Sequence, residues 1–249
     1  MHPSFLDARL DFGREARKGI PEVLLAETKS DEQVVALVRA LLDRGGRAIV
    51  SRMRASTAVR LVGEFGEQRV NLRREARAAA IYASGYVRPR SGGHIGILTA
   101  GTGDIPIAEE ARLVAEEMGC EVSAVYDVGV AGIHRLFDPL HELIEAEVGA
   151  LVVAAGMDGA LPSVVAGLAP VPVIGVPTSI GYGAGGRGRA ALLAMLQTCA
   201  PGLVVVNINN GVGAGATAAL IANQLAAARR QASEPAGSAA HFDEHLEGP

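Results

Sequence analysis

The chain has 249 residues, 49% hydrophobic and 20% charged, with a net charge of −4, which is enough for one large or two small domains around a buried core and excludes a disordered chain. Tryptophan is absent, aromatics make up 4%, and the two cysteines, Cys120 and Cys199, form no CxxC pair, so base-stacking platforms, a disulfide scaffold and a cysteine metal site are all disfavoured. No apolar run reaches the ~20 residues that span a bilayer, and the start lacks the charged-then-apolar order of a signal peptide, so a cytoplasmic protein that binds no membrane is expected.

Residues 1–92 carry 17 Lys/Arg against 11 Asp/Glu, whereas residues 93–249 carry 6 against 16. The arginines of the first part are interleaved with acids, which points to a solvated surface with a few anion contacts and away from nucleic acid. Ser30 and Gln33 have capping-box spacing. Val34, Val35, Leu37, Val38, Leu41 and Leu42 then share one helical face, and Gly45-Gly46 ends the pattern. Ala48–Val50 reads as a short buried strand, Arg73–Tyr82 as a helix, and residues 84–93 as a linker.

From residue 94 short apolar runs recur at Ile95–Leu98, Val122–Tyr126, Ala150–Ala154, Val173–Val176 and Leu203–Val206. Helix-period stretches separate them at Ile107–Met118, Leu136–Glu147 and Ala190–Leu196, and a last helix is expected at about Ala216–Ala228. The alternation predicts an α/β fold, a parallel sheet with helices on both faces, preceded by a smaller α/β domain. The expected organisation is 1–92 as a small basic domain, 93–228 as the main domain and 229–249 as a mobile tail.

Four strand exits are rich in small residues: Ala100–Asp104, Ala155–Gly159, Pro177–Gly188 and Asn207–Gly215. The exit of the second strand leads through Asp127–Gly132 to His134-Arg135. In an open parallel sheet these loops share the carboxyl edge, where backbone N–H groups and helix N-termini suit a phosphate-bearing ligand. Glycine also serves ordinary strand-to-helix turns, and neither a GxGxxG nor a P-loop signature is present. Cys199 is either a small hydrophobe or a nucleophile, and Cys120 reads as structural. His134 either caps a helix or moves protons, and Arg135 is a candidate anion ligand. Asp104 and Asp158 are either turn-stabilising aspartates or acid–base groups. His2, His94, His141, His241 and His245 have no ligand spacing, so no metal is assigned.

The segments Ala100–Ala111, Tyr126–Arg135, Ala155–Val165, Gly175–Ala184, Cys199–Gly202 and Asn207–Gly211 resemble the nickel-pincer cofactor biosynthesis carboxylase family, LarB. Asp11, Arg14, Arg17, Gly19, Pro21–Val23 and Lys29 fit the opening signature of that family. The second part is also similar to the aminoimidazole ribonucleotide carboxylase/mutase (PurE-like) domain, which implies a flavodoxin-like three-layer fold. The resemblance implies that nicotinic acid adenine dinucleotide is carboxylated with CO2 or bicarbonate on its pyridinium ring and cleaved at its phosphoanhydride to release AMP. It makes Cys199 the nucleophile and His134 or Asp158 the base, with Asp104 orienting His134 or a ribose. Gly101, Thr102, Gly103, Arg135, Gly156, Met157, Ser179, Gly181, Tyr182, Gly183, Asn207, Asn210 and Gly211 are its substrate-binding candidates, together with Arg14, Arg17 and Lys29 from the first part. Magnesium would arrive with the phosphoanhydride, and a homo-oligomer is expected by analogy.

Four positions depart from the pattern of the family. Gly103 replaces a serine, Asp158 a glutamate and Asn209 an aspartate, and Gly185–Arg189 brings Arg187 and Arg189 into an uncharged stretch. The competing functions are an aminoimidazole ribonucleotide mutase and a nucleotide-binding regulatory protein without turnover.

Overall fold

The structure, a computed structural model, describes residues 8–233. The first part runs α1 (Arg14–Lys18), β1 (Val23–Leu25), α2 (Asp31–Gly45), β2 (Arg47–Ser51), α3 (Ala55–Phe65), β3 (Val70–Arg73) and β4 (Ala78–Tyr82). The second runs β5 (His94–Thr99), α4 (Ile105–Glu117), β6 (Glu121–Val125), α5 (His134–Glu145), β7 (Ala150–Ala155), α6 (Leu161–Leu168), β8 (Val173–Pro177), α7 (Arg189–Leu196), β9 (Leu203–Val205) and α8 (Gly211–Ser233).

The α2 box forms in both directions: Gln33 N–H donates to Ser30 Oγ at 3.2 Å and Ser30 N–H to Gln33 Oε1 at 3.0 Å. The helix expected at Arg73–Tyr82 is absent. Its residues close β3, turn, and form β4, which lies between β2 and β3 in a sheet ordered β1-β2-β4-β3. Alanine favours helix in isolation, but Ala78–Ile81 are fully buried with a layer on each side: the α2 and α3 cluster on one, Leu113 of α4 on the other. Tertiary burial overrides propensity there.

The second sheet is all parallel, ordered β6-β5-β7-β8-β9. Alternate residues serve opposite faces. Ile95, Ile97, Val152, Ala154, Ile174 and Val176 pack with α4 and α8, while Leu98, Leu151, Val153 and Val173 pack with α5, α6 and α7. The result is a three-layer, PurE-like α/β unit with a smaller mixed sheet at its N-terminal side. The last helix begins at Gly211, before the expected Ala216, and residues 229–233, placed in the tail by sequence, continue it. The remainder of that tail lies outside the described residues. By length and mean hydropathy α8 suffices to cross a membrane, but its Ala214, Gly215, Ala218 and Ala222 face is packed on α4 and the sheet, which accounts for its apolar character.

Helix α4 is sandwiched between the two sheets, and the charge asymmetry is spent there. Arg73 reaches Glu109 at 3.0 Å and Glu116 at 2.8 Å, and Arg88 reaches Glu116 and Glu117 at 3.6 Å. Arg47, its side chain 4% exposed, pairs with Glu117, fully buried, which also accepts the Tyr82 hydroxyl at 2.6 Å. Burial, with Glu117 beside it, pushes the Tyr82 pKa well above its usual value.

Small residues let α8 seat on α4: a Cβ on Gly215 would lie 2.2 Å from the Ala111 carbonyl oxygen. Alanine in a helix gains up to about 1 kcal/mol over glycine, whereas forcing a methyl into a packed contact costs about 1–3 kcal/mol. Gly215→Ala is therefore expected to lower stability in urea titration. Gly167→Ala in α6, where an added Cβ meets nothing within 4 Å, leaves stability equal or raises it. A stabilised Gly215→Ala would contradict the α4–α8 seating.

Candidate active site

The chain reverses direction across the sheet between β5 and β7, so the carboxyl ends of those strands frame a crevice. Asp104, at the exit of β5, is buried at 3% exposure. Its Oδ1 accepts the Thr178 hydroxyl at 2.5 Å, its Oδ2 accepts Gly101 N–H at 2.9 Å, and the Gly156 backbone also bonds to it. One carboxylate thus joins the exits of β5, β7 and β8. Burial pushes its pKa up, opposed by these donors, which favour the ionised form. Asp104 thus acts as a staple between these exits, and neither of its oxygens bonds to His134. Gly156 is glycine because a Cβ there would sit 2.3 Å from the Ile180 carbonyl oxygen, which also accepts Met157 N–H at 2.8 Å. Gly103, where the family carries serine, faces the Ile180 side chain.

Ser179, exposed past the end of β8, is held by Asn209 from the exit of β9. Ser179 N–H donates to Asn209 Oδ1 at 2.8 Å, and Asn209 Nδ2 donates to Ser179 Oγ at 2.8 Å. Asn209 stands at φ +56°, its N–H bonded to the Pro177 carbonyl, while Arg52 of the smaller domain donates to its own carbonyl at 3.2 Å. Three nearby candidates are engaged locally. Asn207 Oδ1 accepts Ile208 N–H, Asn210 Oδ1 caps α8 through Gly213 N–H, and buried Gly211 lies against Ile107 O and Glu110. Glu110, whose pKa burial pushes up, accepts the Ser51 hydroxyl and Val212 N–H, so the α8 N-terminus already has its carboxylate.

The chemically unspent groups of this edge are exposed. His134 stands at the start of α5; Arg135 pairs with Asp127 at 2.8 Å. Asp158 has one oxygen on Ala160 N–H at 3.3 Å, an Asx-type turn. Thr102, Met157, Ile180 and Tyr182, the last 82% exposed, complete the rim, with Gly181 and Gly183 at positive φ around Tyr182. Among the described residues no three His, Cys, Asp or Glu side chains gather to hold a metal ion.

Four expected site residues lie elsewhere. Cys199 is free and exposed, but it sits between α7 and β9, at the amino edge of the sheet. The five residues of β8 separate it from the crevice, about 15 Å. Arg14 pairs with Glu22 at 3.0 Å and Arg17 with Asp11 at 2.6 Å, which satisfies both within the small domain. Lys29 Nζ donates to the Leu25 carbonyl at 2.8 Å. Cys120 is buried, its thiol pushed by burial up to about 11, and donates to Asn223 Oδ1 at 3.0 Å. Sequence reasoning missed Thr178, Arg52 and Glu110. Thr178 was legible as a hydroxyl one step past an apolar strand, but nothing local marks Arg52 or Glu110, whose site partners Asn209, Ser51 and Val212 are distant in sequence.

The LarB/PurE-like N-terminal domain family matches residues 4–83, and the AIR carboxylase family matches residues 94–241. The chain belongs to the LarB family. An uncharacterized protein of Methanocaldococcus jannaschii is 42% identical over 218 residues, spanning 86% of this chain and 83% of that protein. The N5-carboxyaminoimidazole ribonucleotide mutases of Pyrococcus abyssi and Thermotoga maritima are each 33% identical, covering 53% and 51% of this chain and 72% and 73% of their own lengths. The LarB-family chain accordingly carries a PurE-like domain of the carboxylase/mutase kind behind its N-terminal domain.

Asp104→Asn would set an N–H donor against the Gly101 N–H or the Thr178 hydroxyl and is expected to cost about 1–3 kcal/mol. A folded pKa raised above 3.8 means that the contribution of Asp104 is complete below pH 3.8 and declines as pH rises through the folded value. The deficit of Asp104→Asn relative to wild type should therefore shrink from pH 4 to pH 7 in urea titrations; a deficit that grows would contradict the raised pKa.

Proposed function

We propose that the protein carboxylates the pyridinium ring of nicotinic acid adenine dinucleotide with CO2 or bicarbonate and cleaves the phosphoanhydride. The products are AMP and pyridinium-3,5-biscarboxylic acid mononucleotide, for nickel-pincer cofactor biosynthesis. The observation that carries this reading is an exposed free thiol, Cys199, on an AIR carboxylase domain preceded by a LarB-type domain.

A pyridinium is electrophilic and does not attack CO2. A thiolate adding to the carbon beside the ring nitrogen breaks aromaticity and leaves an enamine, whose neighbouring carbon is nucleophilic. That carbon bonds to CO2, a base takes its proton, and expulsion of the thiolate restores the ring. Water then cleaves the phosphoanhydride. Asp158 and His134, both exposed at the crevice rim, are the candidate bases, and Arg135 and Thr102 are candidate anion contacts. Magnesium carried by the phosphoanhydride belongs to the substrate.

Within one chain the thiol and the crevice occupy opposite edges of the sheet, so this chemistry requires a homo-oligomer in which one copy presents Cys199 to the crevice of another. Exposed Leu193, Leu196 and Val204 on the elements flanking Cys199, and Met157, Ile180 and Tyr182 at the crevice, offer apolar surface for that contact.

Incubation with nicotinic acid adenine dinucleotide and bicarbonate should yield AMP and a mononucleotide heavier by one carboxyl group, read by mass spectrometry. Cys199→Ala abolishes the product, and so does Asp158→Asn if it is the base. Co-assembly of these two inactive variants should then restore part of the activity, because mixed oligomers contain an intact thiol facing an intact crevice. An unchanged dinucleotide with wild-type protein would overturn the reaction. Turnover of N5-carboxyaminoimidazole ribonucleotide that survives Cys199→Ala would favour a mutase.

A further inference from the structure

The smaller domain holds a cavity that the proposed reaction does not use. It lies at the carboxyl end of β2, where that strand gives way to α3, and the turn between β3 and β4 borders it. Met53, Ala58, Val59 and Leu72 form apolar walls, and Arg54, Arg74 and Arg77 stand around them. Its volume is about 290 Å³. That is near the lower end of the roughly 300–1,000 Å³ of small-ligand sites, with room for one ring system and its substituents but not for a dinucleotide. Val59 leaves 72% of its surface bare there. Among the described residues that line the cavity none is acidic, so its charge is that of guanidinium groups alone.

Arg77 is already set for a ligand. It stands at φ +52°, a conformation uncommon for a long side chain and one that recurs at ligand sites. A reciprocal pair of bonds holds it: Met53 N–H donates to the Arg77 carbonyl at 2.8 Å, and Arg77 Nε donates to the Met53 carbonyl at 2.6 Å. The guanidinium plane is thereby fixed, while its two terminal nitrogens meet no acceptor among the described residues. The exposed guanidinium of Arg74 has no partner among the described residues either. Arg54 is partly spent, on Asp31 at 3.1 Å and on the Lys29 carbonyl at 2.6 Å. Two unspent planar forks beside an aliphatic wall suit an oxyanion joined to a flat ring, the forks taking the oxygens in pairs.

From this arrangement we infer that the cavity is a second ligand site, for a free mononucleotide. Its base rests on Met53, Val59 and Leu72, and its phosphate is held by Arg74 and Arg77. Arg77 also borders the interdomain cavity that Asn209 lines at the exit of β9. That space sets Glu27, Glu75 and Glu110 against Arg52 and Arg77, and Arg52 is already engaged by the Asn209 carbonyl. A diphosphate crossing it from the crevice would meet an excess of carboxyl groups, which disfavours the far half of a crevice-bound dinucleotide as the occupant. The choice of AMP as the mononucleotide rests on the reaction proposed above, which releases it; the site itself rests on the cavity and its arginines.

The experiment is titration calorimetry of the full chain with AMP, adenosine, inorganic phosphate and nicotinic acid adenine dinucleotide, for wild type, Val59→Asp and Arg77→Met. Wild type should bind AMP at least about tenfold more tightly than adenosine or phosphate, because only AMP engages the wall and the forks together. Val59→Asp sets a carboxylate at an exposed position, so the urea midpoint is kept while AMP binding falls by about tenfold or more. Arg77→Met keeps the length of the side chain but not the fork, and weakens AMP by a similar factor. Dinucleotide binding in Val59→Asp stays within about twofold of wild type. A separate mononucleotide site is overturned if wild type does not bind AMP, if phosphate alone binds as tightly, or if Val59→Asp binds AMP as wild type does. Equal weakening of AMP and the dinucleotide also overturns it, since the cavity would then hold part of the substrate. AMP binding that responds as expected in a protein that leaves the dinucleotide unreacted sinks the carboxylation and keeps the site. Turnover of the dinucleotide with AMP binding indifferent to both variants does the reverse.

Discussion

The crevice depends on a buried carboxylate that ties three strand exits together. Strand exits built from Gly101, Thr102 and Gly103, from Gly156 to Gly159, and from Gly181 to Gly186 have little side-chain packing to hold them and much backbone entropy to lose. Asp104 offsets this by accepting donors from Gly101 and Gly156 in two of these segments and from Thr178 at the end of β8, which makes several pliable loops a single surface. Its worth comes from full satisfaction: a buried charge lacking one donor would be a liability. Because the loops are fixed before a ligand arrives, less ordering remains to oppose binding.

The second organising element is α4, which has a sheet on each side. Its inner face is apolar and joins the core of the larger domain through Ala111, Val114 and Ala115. The other side presents Glu109, Glu110, Glu116 and Glu117 to the smaller domain, whose Arg47, Arg73 and Arg88 meet three of them. Pairs of this kind are sensitive to the loss of either partner when buried, as Arg47 and Glu117 are, and contribute little where water reaches them. Arginines that compose the positive balance of the first domain are therefore occupied in joining domains, and Arg14 and Arg17 are occupied within it.

Most of the larger domain was legible because each strand is a short apolar run and each exit is marked by glycine, so periodicity and turn chemistry agree. The smaller domain was harder. The Ala-rich stretch before Tyr82 has the composition of a helix, and only its position between two layers makes it a strand. At the site, sequence located the loops but not their internal partners. Asp104 belongs to Thr178 and Gly101, and Asn210 to its own helix, because such bonds are settled by three-dimensional neighbours. Cys199 was legible as a motif. Its edge of the sheet was also derivable, since a segment between a helix and the following parallel strand lies opposite the strand exits.

The placement of α4 has a consequence for biogenesis. The smaller domain emerges from the ribosome first, yet one face of its sheet, bearing Ile49, Ala78 and Ala80, is covered by Leu113 of a helix synthesised later. Until that helix appears, the nascent sheet carries an uncovered greasy side and unmatched arginine partners, the kind of transient species that recruits chaperones or self-associates. The two halves of the polypeptide are thus coupled during translation, and separate expression of the first half would deprive it of a layer of its own interior.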